Sequence, residues 1–189
     1  VQGSEASTLA SAAEQQDSAT LRALLEIKAD PNVAQSDGMT ALLWAAYHDD
    51  LVMAQQLVDA GAHAGAANRY GITPLSLACT NGNAKMVKLL ESGAKVDARE
   101  QRGQTAIMWA AAEGHSDVVN ALINAGGDFR TSLDSGFTPL CFAVRNGHIG
   151  VTRRLLAAGV DVNEAMTKAR GGRNMPVKNT SPLLLAMEN

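Results

Sequence analysis

An all-α fold of stacked helix pairs is what this sequence predicts, and three observations predict it. A five-residue phrase recurs as Gly38-Met39-Thr40-Ala41-Leu42, Gly71-Ile72-Thr73-Pro74-Leu75, Gly103-Gln104-Thr105-Ala106-Ile107 and Gly136-Phe137-Thr138-Pro139-Leu140, at intervals of 33, 32 and 33 residues. Two short apolar stretches at helical spacing follow each phrase, most of them closed by glycine. Apolar residues make up 46% of the chain but aromatics only 4%, so the core is mainly Ala, Leu, Val and Met, which lets helices approach closely. Such a period means that no unit buries its own apolar face and that neighbours must supply the core.

The unit from Gly71 to Arg102 shows how each element arises. Thr73 is a good N-cap, and Pro74 suits the first helical position, where its missing N–H would be unpaired anyway. Leu75, Leu77, Ala78 and Cys79 predict a short first helix that Gly82 stops. Asn83 then caps a second helix whose Met86, Val87, Leu89 and Leu90 form one apolar stripe, ended by Gly93. Lys95 to Arg99 runs extended into the next turn. Further first-helix stops are expected at Gly114 and Gly147, and second-helix stops at Gly61, Gly126 and Gly159.

The flanks and two internal departures complete the layout. Residues 1–37 read as an N-terminal capping unit with Leu9, Ala12 and Ala13 in one helix and Leu21, Leu24 and Leu25 in another. Full units follow at 38–70, 71–102, 103–135 and 136–165. The segment 166–179 reads as an insertion, and 180–189 as a partial unit whose Leu183, Leu184, Leu185 and Met187 form a first helix without a second. That pattern reads as a truncated repeat with a mobile insertion before it. A monomer with weak self-association through the open end is the expectation. The second full unit is one residue short near Lys88–Gly93, which either trims its second helix or records a fusion of two repeats. His63-Ala64-Gly65 in the first full unit predicts a less firmly held extended loop.

These residues resemble the ankyrin repeat family. The matching phrases are Thr138-Pro139-Leu140, Ala45-Ala46, Ala110-Ala111, Gly114-His115, Gly147-His148, Val118-Val119 and Asp161-Val162-Asn163, and they cover nearly the whole chain. The resemblance implies a single ankyrin repeat solenoid over 1–189. The Thr-Ala-Leu-x-Trp-Ala-Ala style of opening at Thr40–Ala46 is also similar to that of bacterial ankyrin proteins.

Composition and motifs point away from chemistry. The net charge of −3 gives no general attraction for nucleic acid or an anionic membrane, and no apolar run reaches the ~18–20 residues of a membrane span. Cys79 and Cys141 lie two repeats apart, beyond disulfide reach at roughly 10 Å per helix layer, and read as small buried hydrophobes. His115 and His148 recur at the repeat period, as a structural role requires, while His48 and His63 form no metal-ligand spacing. No nucleophile elbow or phosphate loop occurs. Trp44 and Trp109 read as packing residues with an indole edge near the groove. No catalytic residue, cofactor or metal is expected, and neither nucleic acid nor membrane insertion.

A protein partner is what the resemblance implies. In the ankyrin family, partners usually touch the tips of the extended loops and the exposed face of the first helices. By the repeat alignment those positions are Met39, Arg69, Tyr70, Ile72, Arg102, Gln104 and Phe137 on the tips, with Tyr47, His48, Asn81, Glu113, Arg145 and Asn146 on the helices. They are rich in Tyr, Phe and Arg, types that supply much of the energy of protein interfaces. Lys168, Arg170, Arg173 and Lys178 make 166–179 a second candidate, for an acidic partner. The leading reading is therefore a non-catalytic protein-interaction scaffold. The alternative is a regulatory or targeting segment of a larger, exported bacterial protein whose activity lies elsewhere. The expected compartment is the cytoplasm, or the periplasm or exterior if a signal peptide has been removed.

Overall fold

The computed structural model describes residues 8–163 and 181–183. Those residues form ten helices and no strand. The chain divides into two compact units, Val1–Lys95 and Val96–Asn189. The first holds α1 (Leu9–Glu14), α2 (Ser18–Glu26), α3 (Ala41–Tyr47), α4 (Leu51–Asp59), α5 (Pro74–Asn81) and α6 (Ala84–Glu91). The second holds α7 (Ala106–Glu113), α8 (Ser116–Asn124), α9 (Pro139–Arg145) and α10 (Ile149–Ala157).

Within each unit, the two helices of a repeat pack on each other and each first helix packs on the next. In the first unit α3 lies between α1 and α5, and α4 meets α6; in the second, α7 packs on α9 and α8 on α10. Small side chains make this close approach possible: Ala12, Ala13, Ala45, Ala46, Ala78, Ala110, Ala111 and Ala143 are all buried. Leu21, Leu57, Met86 and Leu90 from the second helices of the first unit complete its core, and Val118, Val119, Leu122, Val151 and Leu155 do the same in the second.

The helices are short, so their ends decide their stability. Thr8, Thr40, Thr73 and Thr138 each accept, through Oγ1, the amide of the residue three positions on, at 3.1, 3.3, 3.1 and 3.3 Å. Asp17, Asp50 and Asn83 cap the following helices in the same way. Hydrogen bonds to Asp17, foremost from the Thr20 hydroxyl, hold its carboxyl below the usual aspartate value. The tips of the extended loops share one pattern. Glycine N–H groups of Gly38, Gly71, Gly103 and Gly136 donate to the carbonyls of Gln35, Asn68, Glu100 and Leu133, whose own amides bond Met39, Ile72, Gln104 and Phe137.

Both expected departures resolve in the geometry. Helix α6 has 8 residues where α2, α4, α8 and α10 have 9, so the missing residue has come out of the second helix. That helix ends at Ser92 with φ −69°, and Gly93 does not take the left-handed turn seen at Gly61, Gly126 and Gly159. The loop at His63-Ala64-Gly65 is firmly held, contrary to expectation. Asn32 of the preceding repeat donates to the Gly61 carbonyl at 3.1 Å and accepts the His63 amide at 2.8 Å, and Ala64 is buried. The anchor sits on the neighbour, so the loop's own departure from the consensus matters little.

Gly114 is required twice over. Its φ is +84°, and a Cβ there would stand 2.6 Å from Nδ1 of His148. Elsewhere the repeat tolerates other residues in this conformation: Gln16, Lys28 and Asp49 stand at φ 56°, 58° and 56° where later repeats carry glycine. The insertion 166–179 lies outside the described residues. So does most of the closing partial repeat, of which Pro182 is buried and Leu183 exposed.

Lys28→Gly is expected to raise stability by about 0.5–1 kcal/mol, because it relieves an L-residue of the left-handed conformation at the end of α2. Urea titration checks this, and a loss would show that the turn is not strained. Leu122→Ala is expected to cost about 2–5 kcal/mol, since Leu122 is fully buried. Gln104→Ala should change stability by less than about 0.5 kcal/mol in the same titration.

Candidate protein-binding surface

The exposed ends of α3 and α5, with the loop tips before them, form the candidate surface of the first unit. Tyr47 at the end of α3 is 57% exposed and meets Trp44 edge-on at 5.6 Å between ring centroids. Arg69 and Tyr70 share the next tip, both exposed, with the guanidinium 4.9 Å above the phenol ring. Ile72 is half-buried beside them. In the second unit Arg102 and Glu113 are exposed, Gln104 is half-buried, and Arg145 lies 5.7 Å over the ring of Phe137.

Five of the thirteen expected contact residues also make contacts within the fold. Met39 and Phe137 are buried, at 7% and 4% exposure, and do not present their side chains at the tips. Each is the residue just before a threonine N-cap, a position that folds inward to meet the fourth residue of the helix. Phe137 does this against Phe142, with ring centroids 5.3 Å apart, and packs on Cys141. His48, Asn81 and Asn146, each at or next to the end of a first helix, tie one repeat to the previous one. His48 Nε2 bonds the Glu14 carbonyl at 3.0 Å, Asn81 Nδ2 donates to Ala46 at 2.8 Å and Asn146 Nδ2 to Ala112 at 2.7 Å. The acceptors are carbonyls in the last turn of the preceding first helix, which have no partner within that helix.

His148 Nε2 bonds the same Ala112 carbonyl at 2.8 Å, which gives this histidine the structural role that its recurrence predicts. Cys79 and Cys141 are buried free thiols, and burial pushes the Cys79 thiol well above its ordinary value. Among the described residues no three His, Cys, Asp or Glu side chains gather in a way that could hold a metal ion. No described helix is long and apolar enough to cross a membrane.

A polar network that no local sequence signal marks surrounds Trp44. Its indole N–H donates to Gln35 Oε1 at 2.8 Å, and Gln35 Nε2 donates to Glu14 Oε2 at 2.7 Å. Trp109, at the matching position of its repeat, has a buried Nε1 with no hydrogen-bond partner among the described residues, and neither has the buried Oγ1 of the nearby N-cap Thr105. The two tryptophans therefore differ in what they do, although the sequence places them alike.

Helix pairs at this period, capped by threonine and closed by glycine-tipped loops, define a helical repeat protein. The chain belongs to the ankyrin repeat family: the family's three-repeat profile matches residues 9–100 and 89–166. It is similar to potassium channel SKOR of Arabidopsis thaliana, 44% identical over 40% of this chain and 9% of the channel. It is also similar to the photoreceptor ankyrin repeat protein of Homo sapiens, 36% identical over 44% of this chain and 20% of that protein. Palmitoyltransferase AKR1 of Lachancea kluyveri is 36% identical over 38% of this chain and 10% of the enzyme. The matched region spans one fifth or less of each of these relatives.

The two tryptophans give a direct test of the geometry. Trp44→Phe is expected to destabilise the protein by about 1 kcal/mol more than Trp109→Phe, since the first removes a made hydrogen bond and strands Gln35 while the second removes an unpaired donor. Equal losses in chemical denaturation would contradict it.

Proposed function

We propose that this chain is a non-catalytic scaffold that binds a partner protein through the loop tips and exposed first-helix ends of its repeats. The observation that carries the reading is the exposed group Tyr47, Arg69 and Tyr70 in the first unit, held on helices and turns whose backbone groups are already satisfied. Aromatic and guanidinium side chains on a rigid frame lose little entropy on binding and dominate interface energies. Arg102 and Arg145 offer the same chemistry in the second unit. Ankyrin repeats generally mediate protein–protein contacts, which supports this reading. The repeat period continues across Lys95–Val96, which supports treating 1–189 as one repeat domain.

A second reading, a regulatory or targeting segment of a larger protein, draws support from one fact. The relatives named as a channel and a transferase are matched over only 9% and 10% of their length. Both readings assign the chain itself the same task, which is to hold a partner.

The test is a cross-linked partner capture followed by alanine variants at Tyr47, Arg69, Tyr70, Arg102 and Arg145. At least two should weaken the partner by more than about 1 kcal/mol with an unchanged melting temperature. Alanine at Met39, Phe137, Asn81 or Asn146 should instead lower the melting temperature. If all five surface variants are neutral and Lys85→Ala on α6 weakens binding, the assigned face is wrong.

A further inference from the structure

The first unit carries an open groove of about 670 Å³ between α1, the loop before α3 and Trp44. Its charged lining is Glu14, Asp37 and Arg69, two carboxylates against one guanidinium. The Arg69 guanidinium is drawn over the Tyr70 ring. Asp37 spends Oδ1 on the Met39 amide at 3.0 Å. Glu14 is engaged only at Oε2, by Gln35, which leaves Oε1 without a partner among the described residues.

Gln35 sets the arrangement. Its amide oxygen accepts from Trp44 and its amide nitrogen donates to Glu14, so it links the indole and the carboxylate in one chain of short bonds. Because the indole N–H is consumed, what Trp44 offers the groove is aromatic surface. His48 stacks beside that ring at 5.8 Å with an interplanar angle of 20°, which further fixes its plane. An aromatic surface and an open carboxylate oxygen, both pre-oriented, suit one side chain above others. A planar guanidinium can lie on the ring while its N–H fork meets the carboxylate.

We propose that this groove receives an arginine side chain of the partner protein, with the guanidinium against Trp44 and Glu14. The proposal rests on the scaffold reading above and names the chemistry that the first unit would select. An ammonium group could pair with Glu14 but could not match the flat ring and the fork together, so arginine should be preferred over lysine.

The chain contains two tryptophans, so a Trp109→Phe background leaves Trp44 as the sole reporter. The full chain in that background is titrated with a fluorescein-labelled Gly-Ser peptide carrying one arginine, and with matched lysine, citrulline and aspartate peptides. Anisotropy of the label is read on every variant; Trp44 emission is read with unlabelled peptides. Saturable binding of the arginine peptide is expected, with a parallel change in Trp44 emission. Glu14→Gln, whose amide oxygen can still accept from Gln35, should weaken it by at least about fivefold. Trp44→Leu should abolish the anisotropy change while Glu26→Gln on α2 leaves it intact. Equal binding of the citrulline or lysine peptide, no effect of Glu14→Gln, or no binding at all would overturn the proposal. The two readings separate cleanly. If the Tyr47 and Tyr70 variants weaken partner capture but Glu14→Gln affects neither capture nor peptide, the scaffold stands and the arginine site falls. If the arginine peptide binds as expected while the capture variants are all neutral, the site stands and the scaffold reading falls.

Discussion

Helix shortness is the constraint on which everything else here depends. The described helices run from 6 to 9 residues, far below the ~12–15 at which an isolated helix becomes even marginal in water. In so short a helix, nearly every backbone group belongs to an end: up to four amides and four carbonyls lack intrahelical partners. The threonine, aspartate and asparagine caps answer the amides. The carbonyls are answered from outside, by a turn that follows or by a side chain of the next repeat. Each repeat thus borrows from its neighbour both its apolar core and part of its hydrogen bonding.

That borrowing engages polar residues on the first helices. Asn81 and Asn146 are exposed by area, yet each has its amide nitrogen on a carbonyl of the preceding first helix. His48 performs the same service with a ring, and its other nitrogen is met by Gln16 at 3.1 Å. Tyr47 and Arg145 lie one position earlier on the helix, and Arg69, Tyr70 and Arg102 stand exposed on the tips.

The buried polar atoms are uneven between the two tryptophan-bearing repeats. In the first, the indole nitrogen is satisfied and drives a network out to an acidic surface residue. In the second, Thr105 Oγ1 and Trp109 Nε1 lie buried without partners among the described residues, one helical turn apart. An unpaired buried donor or acceptor costs about 1–3 kcal/mol, which makes this repeat the weaker of the two in polar terms. Gln35 stands on the loop before α3, at the position that Glu100 takes before α7.

The period, the threonine caps, the glycine stops and the apolar stripes are local features, and from them the sequence determined the helix pairs, their order and the family. The deletion near Lys88–Gly93 was equally visible, although only the geometry shows that α6 absorbed it. Local signals also separate tip from helix, but not inward from outward, so by sequence Met39 and Phe137 look like tip contacts. Their direction depends on where the helix behind them offers a place to pack, as Phe142 does for Phe137. The inter-repeat ties of His48, Asn81, Asn146 and His148 span 34 to 36 residues, and the Glu14–Gln35 bond spans 21. No propensity or periodicity encodes such pairs, because each forms only once stacking has brought two repeats into register. Which surface side chains remain available, and which acid meets which aromatic, was decided by the tertiary structure alone.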